Sequence, residues 1–158
     1  LTADCVPVVL RSRTAPVVGV AHGGWRGLVS GVIEALVECL PVAPDELEAW
    51  LGPAIGPEAY EIGSEVAGSV RESLGGIPVD RVLSRGAAPD KWQLDLFALA
   101  ERLLDKAGVA AGCSDRLCTF SDRRFFSYRR DGVTGRMATL AWLPDQASAP
   151  SQLVATPR

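Results

Sequence analysis

The chain has 158 residues, 47% of them hydrophobic and 22% charged, with a formal net charge of −3, which marks an ordinary globular protein and excludes a disordered or fibrous one. A chain this long buries roughly two-thirds of the surface that it exposes when unfolded, so its core needs no disulfide staples. The acidic balance argues against nucleic acid as a partner, because phosphates are neutralised by a basic face, and no apolar run approaches the roughly 18 residues of a membrane span.

Leu1 leads at once into strand-like sequence, with no charged, apolar and small-residue succession of an export signal, and the chain reads as a fragment of something longer. Cys5, Cys39, Cys113 and Cys118 form no CxxC pair, which predicts free thiols and a cytoplasmic protein. Val6 to Leu10 and Val17 to Ala21 are β-branched runs that predict a hairpin, with Arg11 to Pro16 as its turn. The glycine-rich stretch His22-Gly23-Gly24-Trp25-Arg26-Gly27 then feeds a helix, whose apolar positions Leu28, Val32, Leu36 and Leu40 recur at helical spacing until Pro41.

Glu48 to Gly52 predicts a third strand, and Ser64 to Leu74 a second helix with Ser64 as N-cap and Gly75-Gly76 as its stop. Gly75 to Pro89 reads as a loop. Leu94, Phe97, Leu99, Ala100, Leu103 and Leu104 form the stripe of a third helix that ends near Gly108. Arg116 to Ser121 and Met137 to Leu143 read as strands, and residues beyond Pro144 as a disordered tail. Strands interleaved with helices predict a layered α/β (α+β) arrangement in one domain over residues 1 to 143.

His22 is the sole histidine, so any imidazole-dependent step open to these residues uses it. It stands where a buried strand stops and a glycine-rich turn begins, a place from which side chains face ligands; the bland alternative is a locally satisfied histidine. Cys5 lies just before one strand of the hairpin and His22 just after the other, so the two can meet at one end of the sheet. Such a meeting supports a thiolate nucleophile or an S/N ligand pair for zinc, whereas an isolated cysteine is more often a small buried hydrophobe. Asp4 is a candidate carboxylate beside them, or a turn former.

Arg116, Arg123, Arg124, Arg129, Arg130 and Arg136 share one stretch with only Asp115, Asp122 and Asp131. Their planar forks suit a small anion; intramolecular Arg–Asp pairs are the competing reading. Phe125, Phe126 and Tyr128 interleave with them and offer aromatic faces. The segment from Gly52 through Pro53, Gly56 and Pro57 to Gly63 predicts a rigid loop of the kind that holds sites.

Four segments in this order, Thr2-Ala3-Asp4-Cys5-Val6-Pro7-Val8, Ala21-His22-Gly23-Gly24-Trp25-Arg26-Gly27, Gly52-Pro53-Ala54-Ile55-Gly56 through Tyr60-Glu61-Ile62-Gly63, and Cys118-Thr119 with Phe125 to Arg136, resemble the multicopper polyphenol oxidase (laccase-like) family, also described as purine nucleoside phosphorylases. The resemblance implies a layered sandwich of mixed β-sheet flanked by helices, similar to the fold of toxin Cys–His deamidases. It implies phosphorolysis of inosine, guanosine, adenosine and methylthioadenosine, together with adenosine deaminase activity. It further implies one metal, usually zinc, on Cys5, His22 and a second histidine from a region that precedes Leu1; Cys118 or Asp4 is the candidate stand-in. On that pattern the expected catalytic residues are Cys5, His22 and Arg26. Arg26 with Arg129 or Arg130 is expected to hold phosphate, and Tyr128 or Phe126 to face the purine. The expected partners are a purine nucleoside and inorganic phosphate, and a second copy of the chain remains open. Copper-dependent phenol oxidation and a Cys or zinc hydrolase that edits peptidoglycan precursors are the alternatives; copper clusters are dressed mainly by imidazoles, of which this chain has one.

Overall fold

The computed structural model describes residues 1–110 and 112–144; the expected tail beyond Pro144 lies outside them. The hairpin forms as β1 (Val6–Ser12) and β2 (Val18–Gly23), paired antiparallel. Its turn is closed by Ser12, whose N–H donates to Val17 O at 2.9 Å and whose Oγ accepts from Thr14 N and Ala15 N at 3.1 Å. A short side chain that satisfies two loop N–H groups is why the chain reverses here. β3 (Leu47–Leu51) adds to the far edge of β1, giving a sheet ordered β2-β1-β3.

The period-2 alternation decides what this sheet covers. Val6, Val8 and Leu10 of β1 and Leu47, Ala49 and Leu51 of β3 point inward and are buried. Each such Val or Leu side chain stabilises the fold by about 1.5–3 kcal/mol. The other face carries the row Val20, Val9 and Trp50, of which Val20 and Trp50 are exposed.

The single helix expected over Leu28 to Leu40 is instead two, α1 (Trp25–Val29) and α2 (Val32–Cys39). Gly31 at φ +87° stands between them, a left-handed turn that ends one helix and re-aims the next. α2 lies on β2, with Leu36 and Leu40 against the backbone of Gly19.

After a 3-10 turn at Pro57–Ala59, a second antiparallel sheet, β4 (Glu61–Gly63), β5 (Leu83–Arg85) and β6 (Lys91–Leu94), forms in the order β4-β6-β5. Two of its strands fall within the expected loop and at the expected start of the third helix; strands this short carry no periodic signal and are set by pairing. α3 (Ser64–Leu74) has Gly63 rather than Ser64 at its N-cap position, since the Ser64 hydroxyl donates to Asp90 O at 2.9 Å. Gly75 ends it at φ +58°, as its sequence predicts. α4 (Leu96–Lys106) is capped by Asp95, whose Oδ1 accepts from Ala98 N at 3.0 Å, and runs through the core with Phe97, Leu99, Leu103 and Leu104 buried.

The strands expected at Arg116 to Ser121 and Met137 to Leu143 reduce to single pairings, Cys118 with Ala54 and Met137 with Thr2. Both ladders are antiparallel; among the described residues parallel pairing is confined to isolated contacts of Ala54 with Cys118 and Glu48 with Ala110. The result is an α+β fold of two small sheets and helices around one apolar cluster, closed by a four-residue helix α5 (Tyr128–Asp131) with Ser127 as its cap. Among the described residues no helix is long and apolar enough to cross a membrane.

Candidate functional site

Register builds the centre of the site. Pro7 faces His22 and Val6 faces Gly23, so Cys5 enters β1 where β2 leaves through Gly24. A Cβ built on Gly24 would lie 3.0 Å from Cys5 Sγ and 3.8 Å from His22 Nε2. The missing carbon leaves a hollow bordered by a thiol and an imidazole. At Gly23 a Cβ would instead meet Val6 O at 2.7 Å, so this glycine serves close strand contact, and approach to a ligand falls to Gly24.

Partial burial pulls the His22 pKa below its ordinary value, which keeps the imidazole neutral and its lone pair available at neutral pH. Burial pushes the Cys5 thiol up, the Asp4 charge adds to the rise, and Arg136 opposes it.

Asp4 joins distant parts of the chain. Its Oδ1 accepts from Thr119 Oγ1 at 2.7 Å, its Oδ2 from Arg129 N at 2.8 Å, and its carbonyl from Ile55 N at 2.9 Å. The rigid loop is thereby pinned from two sides, since Gly52 N donates to Pro7 O at 2.9 Å and Ala54 N to Leu117 O at 3.1 Å. Cys118 belongs to this clamp: its Sγ accepts from Gly56 N at 3.1 Å. Burial raises the Cys118 thiol, but hydrogen bonds from Ser121, Gly56 and Phe120 outweigh it and leave the pKa below the usual value. Among the described residues no three His, Cys, Asp or Glu side chains are grouped closely enough to hold a metal ion.

The arginines divide into two kinds. Arg116 pairs with Asp95 and Glu101, and Arg124 with Asp122. Arg130 uses all five N–H groups, on Asp131 and on the carbonyls of Thr119, Phe120 and Phe125. With all five donors engaged within the chain, it holds the loop together. Arg26 and Arg129 make no ion pair among the described residues. The Arg26 guanidinium lies 4.5 Å from the centre of the Trp25 ring, and that of Arg129 5.0 Å from the centre of the Tyr60 ring.

Phe126 and Tyr128 are exposed, at 48% and 61%, so each offers a free aromatic face. Phe126 lines an open hollow of about 450 Å³ with Arg123, Val133 and Gly135. Tyr60 gained no role from composition or spacing, although its segment is part of the resemblance; burial and the Cys5 charge raise its pKa, while Arg129 and Arg26 pull it down. Its neighbourhood to Cys5 is a product of loop geometry, invisible to a reading by residue type.

The Multi-copper polyphenol oxidoreductase laccase family matches residues 1–144. A protein of Xylella fastidiosa named purine nucleoside phosphorylase is 47% identical over 90% of this chain and 55% of its own length, and an Escherichia coli protein of that name is 42% identical over 90% of this chain and 58% of its own length. The crystal structure of a Neisseria meningitidis DUF152 protein superposes with a TM-score of 0.83 at 41% identity, covering 91% of this chain and 59% of that one. The chain thus spans a little over half the length of these relatives. With a family match across 1–144 and the shared fold, the chain belongs to the multicopper polyphenol oxidoreductase laccase family, whose relatives include proteins named purine nucleoside phosphorylase.

Proposed function

We propose that these residues form the core of a site for phosphorolysis of purine nucleosides, in which a phosphate oxygen attacks the anomeric carbon, the bond to the purine nitrogen breaks, and the purine takes up a proton. The names of the relatives support this reading. The structural observation that carries it is a pair of guanidiniums, Arg26 and Arg129, that have no carboxylate partner among the described residues and lie against the Trp25 and Tyr60 rings.

In this reading Arg26 and Arg129 bind and orient phosphate, and Phe126 or Tyr128 packs on the purine. Cys5 and His22, bordering the hollow at Gly24, are the soft and borderline donors that zinc prefers, and with a ligand from outside the described residues they would hold it. Zinc would supply Lewis acidity at the pocket. Adenosine deaminase activity and use of methylthioadenosine belong to the same proposal. The copper reading fits the donors less well, since one histidine provides one imidazole.

The test is hypoxanthine release from inosine by the purified chain with zinc, with and without inorganic phosphate. Phosphate-dependent release is the expected result. Release that ignores phosphate would indicate a hydrolase, and no release from zinc-loaded protein would overturn the phosphorolysis reading. Cys5→Ser and His22→Ala are each expected to lower zinc content at least tenfold, read by metal analysis.

A further inference from the structure

We infer that Tyr60 is a positioning residue that holds the Arg129 guanidinium open for an oxyanion, an inference that rests on the phosphorolysis reading above. Tyr60 follows the 3-10 turn at Pro57–Ala59, and its carbonyl accepts from Leu94 N at 3.0 Å, so its backbone is tied to β6. The half-buried ring therefore has a fixed place.

Arg129 is secured at three points. Its main-chain N–H donates to Asp4 Oδ2 at 2.8 Å, its Nη1 donates to Glu61 O at 3.1 Å, and its guanidinium lies 5.0 Å from the centre of the Tyr60 ring. Among the described residues only one of the five guanidinium N–H groups is spent. The adjacent residue shows the contrast, because Arg130 spends all five on carbonyls and Asp131. Two consecutive arginines on one short helix thus do opposite work.

A carboxylate partner would also immobilise Arg129, but it would consume the fork that phosphate needs. A ring is no carboxylate: a contact 5.0 Å from its centre holds the guanidinium by its charge, and the N–H groups not bonded to Glu61 O have no hydrogen-bond partner among the described residues and stay available for an oxyanion. The cost of ordering a long side chain is met before the anion arrives, which strengthens anion binding without a direct contact from Tyr60.

Inosine phosphorolysis by Tyr60→Phe, Tyr60→Met and Arg129→Gln, each checked for native circular dichroism, separates the outcomes. Tyr60→Met is expected to raise the KM for phosphate about tenfold, the effect of losing a partly desolvated cation–ring contact, and to leave the KM for inosine unchanged. Tyr60→Phe retains the ring and is expected to restore the phosphate KM to within about twofold of the parent. The rise in unfolding midpoint produced by inorganic phosphate, which needs no turnover, is expected to shrink in Tyr60→Met and persist in Tyr60→Phe. An Arg129→Gln protein that responds weakly to phosphate beside a Tyr60→Met protein that responds normally would overturn the role of Tyr60. Equal rises in both KM values would do the same, because they would mean a general loss of shape. Normal phosphate response in Arg129→Gln would instead overturn the assignment of phosphate to Arg129, and with it the reading on which this inference rests.

Discussion

At the scale of single residues, hydrogen-bond accounting separates groups that hold the site together from groups free to act in it. Asp4 accepts from both Thr119 and Arg129, so Asp4→Ala leaves two donors without a partner and is expected to destabilise the fold by about 2–3 kcal/mol, measured by urea unfolding. Arg130→Lys keeps the charge but loses the fork that reaches three carbonyls, and a lower urea midpoint is expected; Arg129→Gln, which removes one such bond, is expected to leave the midpoint nearly unchanged. The placement of Cys5 and His22 at one end of the sheet was legible in the sequence because hairpin pairing follows from two apolar runs and the turn between them. The division of labour between Arg129 and Arg130 was not. Residue type and spacing are the same for both, and only the loop path decides which fork meets carbonyls.

At the scale of elements, strong periodicity was a reliable guide and short pairing was not. The hairpin, α3 and α4 follow from runs of apolar residues with the right period, and α3 ends at Gly75, at φ +58°, where its sequence predicts a stop. The break between α1 and α2 escaped the periodicity because Leu28, Val32 and Leu36 stay in phase across it, and the left-handed Gly31 is the sole local signal. Gly31→Ala forces a Cβ into that conformation and is expected to cost about 1 kcal/mol, even though the nearest side-chain atom, Glu34 Oε2, is 3.8 Å away. Phe97→Ala empties the fully buried heart of α4 and is expected to cost about 3–5 kcal/mol in the same unfolding assay. β5 and β6 were hidden because a three- or four-residue strand is defined by its partner, not by its own composition.

At the scale of the whole molecule, the acid side of the stability profile follows from depressed carboxyl groups. The Thr14 hydroxyl and Ala43 N–H hold Glu46 below the usual carboxylate range, Arg124 does so for Asp122, and Arg130 for Asp131. A carboxyl whose folded pKa is depressed stabilises above its unfolded pKa, and that stabilisation is lost as pH falls through the folded value. The urea midpoint is therefore expected to begin to decline below about pH 6.5, where His22 protonates in the unfolded chain before it does in the folded one, and to fall further below about pH 4.5, where these carboxyl groups begin to protonate in the unfolded chain. A midpoint that rose on acidification would contradict this.

Asp4 reaches Thr119 across 115 residues and Arg129 across 125, and Thr2 pairs with Met137. The site is thus closed by contacts between the two far ends of the described chain, whereas the hairpin beneath it is local. Loop-closure entropy delays such contacts until most of the chain is in place, so the candidate site is the last part to assemble and the first to come apart. In kinetic terms, loosening Asp4 should shorten the lifetime of the native state while hardly slowing its formation.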